Sequence, residues 1–181
     1  SIPTGSYYVG FDIPDTLDFV NPNVGPADTD SDVTGLMGEG STAPFIVVDG
    51  ELFDNVDAGV RDIRSIIQGQ LFIDSDGDGV KDVNNQGLAG VDVTLFDVSG
   101  SQVSSTITSA SGSYIFEGLL ANFYYIEFSN YPSTYLFTES NVGVDDTVDS
   151  DIVVTNNGVG LSSSVLVSLD QVVSIDGGVY E

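Results

Sequence analysis

The chain has 181 residues and a formal net charge of −25, from 28 acids, 22 of them Asp, against three bases. A field of that sign repels nucleic acid and anionic membranes and attracts cations, so nucleic-acid binding is set aside. Cysteine and histidine are both absent, which removes disulfides, thiol chemistry and the commonest general base and transition-metal ligand.

Apolar residues make up 41% of the chain, enough for a packed core. No apolar run approaches the length of a membrane span, so membrane insertion is not expected. The first residues carry no signal-peptide pattern, and Ser1 reads as a processed end, an artificial boundary or a repeat boundary. The short linker 61–65 holds Arg61 and Arg64, two of the three bases. These either pair with acidic loops or simply solubilise the joint.

From Ser65 to Ile73 the chain is β-branched and aromatic with glycine punctuation, and so is the stretch from Gly87 to Phe96. Both read as strands. Between them lies D-S-D-G-D-G-V-K-D, which sets Asp74, Asp76, Asp78 and Asp82 at relative positions 1, 3, 5 and 9. Gly79 falls at position 6, where the backbone turns sharply, and Val80 at position 7 offers a carbonyl. This is the ligand grammar of a calcium loop, set here between strands instead of helices. Without a cation, carboxylates so close repel by roughly 1 kcal/mol per pair. Position 12 is Asn85 where a bidentate Glu is usual, so one ligand comes from elsewhere or from water.

Further along, Val91, Val93 and Leu95 alternate with Asp92 and Thr94, and Tyr124, Ile126 and Phe128 alternate with Tyr125 and Glu127. Turn residues break the pattern at 99–101, 111–113, 156–158 and 176–178. No segment of helical length carries a 3.6-residue apolar stripe. Short strands with frequent turns predict an all-β fold, an antiparallel β-sandwich. A second acidic cluster comprises Asp145, Asp146, Asp149 and Asp151. It reads as a further cation site or as a solvated loop. Asp57 and Asp176 either add a ligand or cap a turn.

The second half of the chain repeats its beginning. Tyr7-Tyr8-Val9-Gly10-Phe11 matches Tyr124-Tyr125-Ile126-Glu127-Phe128, Pro14 matches Pro132, and Phe19 matches Phe137. Asn23-Val24-Gly25 recurs at 141–143, Asp30-Ser31-Asp32-Val33 at 149–152, and Val56-Asp57-Ala58-Gly59-Val60 at 175–179. Asp28, Asp30 and Asp32 are therefore copies of the second acidic cluster. A whole leading half precedes Tyr124, whereas only six residues precede Tyr7. The expected organisation is a complete domain at 66–181, a linker at 61–65, and the trailing half of another domain at 1–60. Another chain or a segment not in this sequence would complete that half, because an open half-sheet exposes edges and an apolar face.

The complete domain resembles the B-type repeat of serine-aspartate-repeat adhesins, within the collagen-adhesin-B-like group. Gly69-Gln70-Leu71-Phe72-Ile73-Asp74, the acidic loop, Gly87-Leu88-Ala89-Gly90-Val91 and 106–116 carry the resemblance, with Gly118-Leu119, Tyr124, Asp149-Ser150-Asp151 and Asp176-Gly177-Gly178. It implies a prealbumin-like or immunoglobulin-like Greek-key sandwich with calcium-binding loops, used as a stalk or spacer outside the cell. Asn122 stands where the family has Gly, and Asn tolerates the left-handed turn expected there. Relatives in the wider group lock their strands through a core Lys, but the single lysine here, Lys81, is expected to face solvent.

Taken together, the reading is a calcium-stabilised structural module of an extracellular stalk or self-assembling fibre, with neighbouring copies of the same protein as partners. The metal residues are Asp74, Asp76, Asp78, Val80, Asp82, Asp149, Asp151, Asp146, Asp30 and Asp32. A salt-adapted organism would also select an Asp-rich, Lys-poor chain. An adhesin module using Tyr125, Tyr131 and Tyr135 is the alternative. An enzyme is not expected, because the acidic clusters have cation spacing and lack the apolar neighbour of a paired-carboxylate site.

Overall fold

The computed structural model describes residues 2–26, 30–142, 147–154 and 158–181. Among these, every regular element is a strand. The chain divides into two compact units, Ser1–Ile63 and Arg64–Glu181.

The first unit contains β1 (Gly5–Tyr7), β2 (Leu17–Phe19), β3 (Phe45–Val47) and β4 (Val60–Asp62). They form two separate antiparallel pairs, β1 with β3 and β2 with β4. The exposed Arg61–Asp18 pair at 3.4 Å lies across the second of these, a type of contact that contributes little.

The second unit contains β5 (Ser65–Ile73), β6 (Gln86–Gly87), β7 (Asp92–Asp97), β8 (Gln102–Ile107), β9 (Ser113–Leu119) and β10 (Asn122–Ser129). It continues with β11 (Leu136–Phe137), β12 (Ile152–Val154), β13 (Gly160–Ser162), β14 (Val165–Val167), β15 (Val172–Ser174) and β16 (Gly177–Tyr180). One sheet runs β12-β13-β10-β7-β8, with β14 on the first half of β10. The other is built around β5, which pairs with β6, β9, β15 and β16. The core lies between them. Val93 and Leu95 on β7 and Ile126 and Phe128 on β10 meet Ile67 and Leu71 on β5 and Val179 on β16. The alternation in the sequence thus places the inward residues correctly, each buried side chain of this size contributing about 1.5–3 kcal/mol.

Direction of pairing is another matter. β5 is antiparallel to β9 and β6 but parallel to β15 and β16. Period-two patterning tells which face is buried and carries no information on partner or direction. Asn122 departs from expectation too. It opens β10, and the described non-glycine residues with positive φ are Asn23, Asn130, Asn141 and Asp170.

The sequence repeat is also a repeat of structure. Tyr7↔Phe45 and Gly5↔Val47 match Tyr124↔Val165 and Asn122↔Val167. Phe19↔Val60 matches Phe137↔Val179. The turn closed by the Leu17 amide on the Pro14 carbonyl at 2.9 Å recurs from Tyr135 to Pro132 at 3.0 Å. Asn23 and Asn141 share a left-handed backbone, at φ 57° and 55°.

Gly69 shows why one glycine of the family pattern is required. A Cβ there would lie 1.9 Å from the Ile175 carbonyl oxygen and 2.8 Å from the Tyr114 hydroxyl. That hydroxyl donates to the same carbonyl. Burial, then the nearby Asp176 and Asp151, push the Tyr114 pKa well above its ordinary value. Its contribution to stability is therefore complete below about pH 10, the unfolded value, and declines as pH rises through the folded one. Tyr114→Phe is expected to destabilise the second unit by about 1–3 kcal/mol, because it orphans a buried acceptor. It should also flatten the alkaline loss, read as urea midpoints above about pH 9.

Candidate metal centre

The acidic loop hangs between the end of β5 and the start of β6, which pair with each other through Phe72↔Gly87 and Ile73↔Gln86. Gly77 and Gly79 both adopt left-handed backbone, φ 75° and 85°. At Gly79 space matters as well, since a Cβ would meet the Glu139 carbonyl oxygen and Val142 Cγ2 at 2.7 Å each.

Asp74 organises the loop from its buried end, with only 1% of its surface exposed. Its Oδ1 accepts the Gly77 amide at 2.9 Å. Its Oδ2 accepts the Gly79 amide at 2.9 Å and the Thr138 hydroxyl at 2.6 Å. Burial works to raise the pKa, but the Thr138 hydroxyl and the two amides outweigh it, and the carboxyl titrates below its ordinary value. Asp76 goes the other way. The charge of Asp78 beside it, with partial desolvation and contact with Asp74, raises its pKa.

Carboxylate oxygens of Asp74, Asp76 and Asp78 all lie within 4.8 Å of one another. Three hard oxygen donors converging on one point, two of them exposed to solvent, can hold a metal ion. The Val80 amide donates to Asp78 Oδ1 at 2.9 Å, which sets that carboxylate. The Asp82 amide donates to Asn85 Oδ1, so the residue at position 12 closes the loop on itself.

The second acidic segment meets this loop directly. Val80 and Asp149 form an antiparallel bridge, the Lys81 amide donates to the Val148 carbonyl, and the Ser150 amide donates to the Gly79 carbonyl at 3.1 Å. Asp149 is 3% exposed. Asp151 faces the closing strand, where its Oδ2 accepts the Asp176 amide at 2.8 Å. Asp145 and Asp146 lie outside the described residues, as does Asp28. In the first unit, Asp32 Oδ2 accepts the Asp57 amide at 2.8 Å, which copies the Asp151–Asp176 bond. Asp30 occupies the place of Asp149.

Two participants escaped the sequence reading. Thr138 comes from the strand-end after β11, far from the loop in the chain, and no local pattern marks it. Lys81, expected to face solvent, instead turns inward, and its Nζ pairs with the buried Asp176 carboxylate. An acid beside a closing Gly-Gly pair was the available signal, and only the fold brings it under the loop.

The sequence profile of the SdrD B-like domain matches residues 67–179. The chain belongs to this family. Serine-aspartate repeat-containing protein F of Staphylococcus epidermidis is 29% identical over 180 residues, covering 99% of this chain and 10% of that protein. Serine-aspartate repeat-containing protein C of Staphylococcus aureus (strain Newman) is 37% identical over 111 residues, 61% of this chain and 11% of that protein. The chain thus spans about a tenth of the length of the curated relatives it matches. Among solved structures, the minor pilin GBS52 of Streptococcus agalactiae aligns with a TM-score of 0.44 and 14% identity, over 76% of this chain and 58% of that one. The Bacillus anthracis TIE protein aligns at 0.44 and 12%, over 99% of this chain and 26% of that one.

Proposed function

We propose that the chain is a calcium-stabilised module of an extracellular stalk or fibre. The observation that carries this reading is the position of the acidic loop. It belongs to the β5–β6 half of the second unit, yet the Val80–Asp149 bridge, the Ser150 amide and the Thr138 hydroxyl all reach it from the other half. A cation held by Asp74, Asp76 and Asp78, with the Val80 carbonyl, Asp82 and Asp149 at hand, ties the two halves together at one end. A hard ion with six to eight oxygen ligands suits such a set, and the modest affinity of loop sites suits calcium-rich surroundings outside the cell. Asp149 and Asp151, with Asp30 and Asp32 as their repeats, extend the same acidic frame.

Mechanical use is the natural role for such a joint. Pulled chains fail at the unfolding rate, and a ligand bound only to the folded state slows that step. Single-molecule pulling of the full chain is expected to show a higher unfolding force for one event in millimolar calcium than in chelator. Equal forces in both would overturn the reading. The open half-repeat at 1–63 calls for a neighbour, and copies of the same chain are the first candidates. Calcium-dependent growth of molar mass in light scattering would mark such a homopolymer. The adhesin alternative gains nothing from its tyrosines. Tyr125 stacks on Phe96 at 5.2 Å, Tyr131 packs on Phe137 at 5.1 Å, and Tyr135 packs against the core.

A further inference from the structure

Residues 1–63 reproduce one half of a sandwich whose other half is visible elsewhere in the same chain. In the second unit, the buried cluster takes eight side chains from 67–119 and eight from 124–179. The first unit holds counterparts of the second set alone. Val179 is fully buried under β5, whereas its counterpart Val60 is 44% exposed. Val9, Val47 and Val56, counterparts of the buried Ile126, Val167 and Ile175, line an apolar groove of about 640 Å³ with Ile2, Phe45 and Phe53.

A second, polar observation points to the same occupant. Beside β4 lies a cavity of about 560 Å³ bounded by Val20, Val24, Asp30, Ser31, Ala58 and Gly59. Asp149 and Ser150, the counterparts of Asp30 and Ser31, meet the acidic loop of the second unit through the Val80 bridge and the Ser150 amide. Val24 is 72% exposed, and its counterpart Val142 packs against Gly79 of that loop. What is missing from the first unit therefore has the outline of β5 followed by an acidic loop.

We propose that residues 1–63 form a docking surface for a leading half-repeat, a polypeptide with the strand-and-loop pattern of residues 65–87, added parallel to β4. The proposal rests on the structural-module reading above and names the partner of its open half. The register is set by the second unit, where Leu71, Phe72 and Ile73 lie beside Gly177, Gly178 and Val179. An incoming strand places those three residues beside Ala58, Gly59 and Val60. Its first loop aspartate donates its amide to the Val60 carbonyl, as Asp74 does to Val179 at 2.7 Å. Its Gln70 amide reaches Asp57, as in the 2.7 Å bond to Asp176 Oδ1. One contact is lost, because Val20 stands where Thr138 supplies a hydroxyl.

The test is fluorescence anisotropy of a labelled peptide comprising residues 65–87 of this sequence, titrated with the full chain in calcium and in chelator. Saturable binding at one peptide per chain is expected, tighter in calcium. Val60→Asp, which sets a charge at the rim of an apolar face, should weaken it by about tenfold or more. Ile46→Asp, on the opposite and 70% exposed face of β3, should leave it unchanged and controls for folding. Binding indifferent to Val60→Asp would place the peptide elsewhere and overturn the proposal. Absence of binding would overturn it as well. If pulling still shows calcium strengthening, the module reading survives that failure. If light scattering then shows large assemblies, another copy of the chain fills the face instead.

Discussion

Asp74→Ala is expected to destabilise residues 64–181 by about 3–5 kcal/mol even in chelator, before any ion is considered. One buried carboxylate accepts three hydrogen bonds there, from Gly77, Gly79 and the Thr138 hydroxyl. Alanine orphans all three donors at once and releases two left-handed glycines from the group that holds them. Asp74→Asn retains part of the acceptor set and should lose about 1–3 kcal/mol. The pH dependence separates this from a simple cavity. Because the folded pKa of Asp74 is depressed, its contribution is present above the unfolded value of about 3.9 and is lost as pH falls through the folded value. Both variants should therefore show a shallower acid slope than the parent below about pH 4. Urea midpoints in chelator, followed by tyrosine emission because the chain has no tryptophan, check both outcomes. An unchanged midpoint for Asp74→Ala would mean that the loop is organised by something else.

Calcium should raise the stability of the second unit by about 2.7 kcal/mol when it is present at a hundred times its dissociation constant. For a site of about 10⁻⁴ M that is about 10 mM calcium, and the melting temperature should rise by roughly 10 °C. Asp76→Asn supplies the decisive comparison. Asp78 disfavours the ionised form of Asp76 in the ion-free protein, so removal of that charge should cause no loss of stability in chelator. The same change removes one of the three convergent carboxylates and should abolish most of the gain in calcium. Differential scanning calorimetry of parent and variant, each with and without calcium, reads both effects. A parent that melts identically in calcium and in chelator would exclude a resident calcium ion from the stabilising role proposed here.

Local rules explain why much of this protein was legible from its residues. The strands around Val91–Leu95 and Tyr124–Phe128 follow from alternation, because a pleated strand turns successive side chains to opposite faces. The loop follows from carboxylates at alternate positions and a glycine where the backbone must become left-handed. The repeat followed from matched blocks, and paired registers such as Phe19↔Val60 and Phe137↔Val179 match in the same way. Lys81 was misread for a physical reason. Position 8 of an isolated loop faces solvent, but here the closing strand passes beneath it and presents Asp176.

The sequence by itself determined the secondary structure, the inward residues, the convergence of Asp74, Asp76 and Asp78, and the duplication of one half. Each depends on neighbours a few positions apart or on comparison of the chain with itself. Tertiary structure alone decided that β5 runs parallel to β15 and β16, that Thr138 caps Asp74, and that Asp149 lies opposite Val80. These contacts join residues some 60 to 110 positions apart. Such pairings form only when the core has brought both strands to the same edge, and no spacing along the chain encodes that encounter.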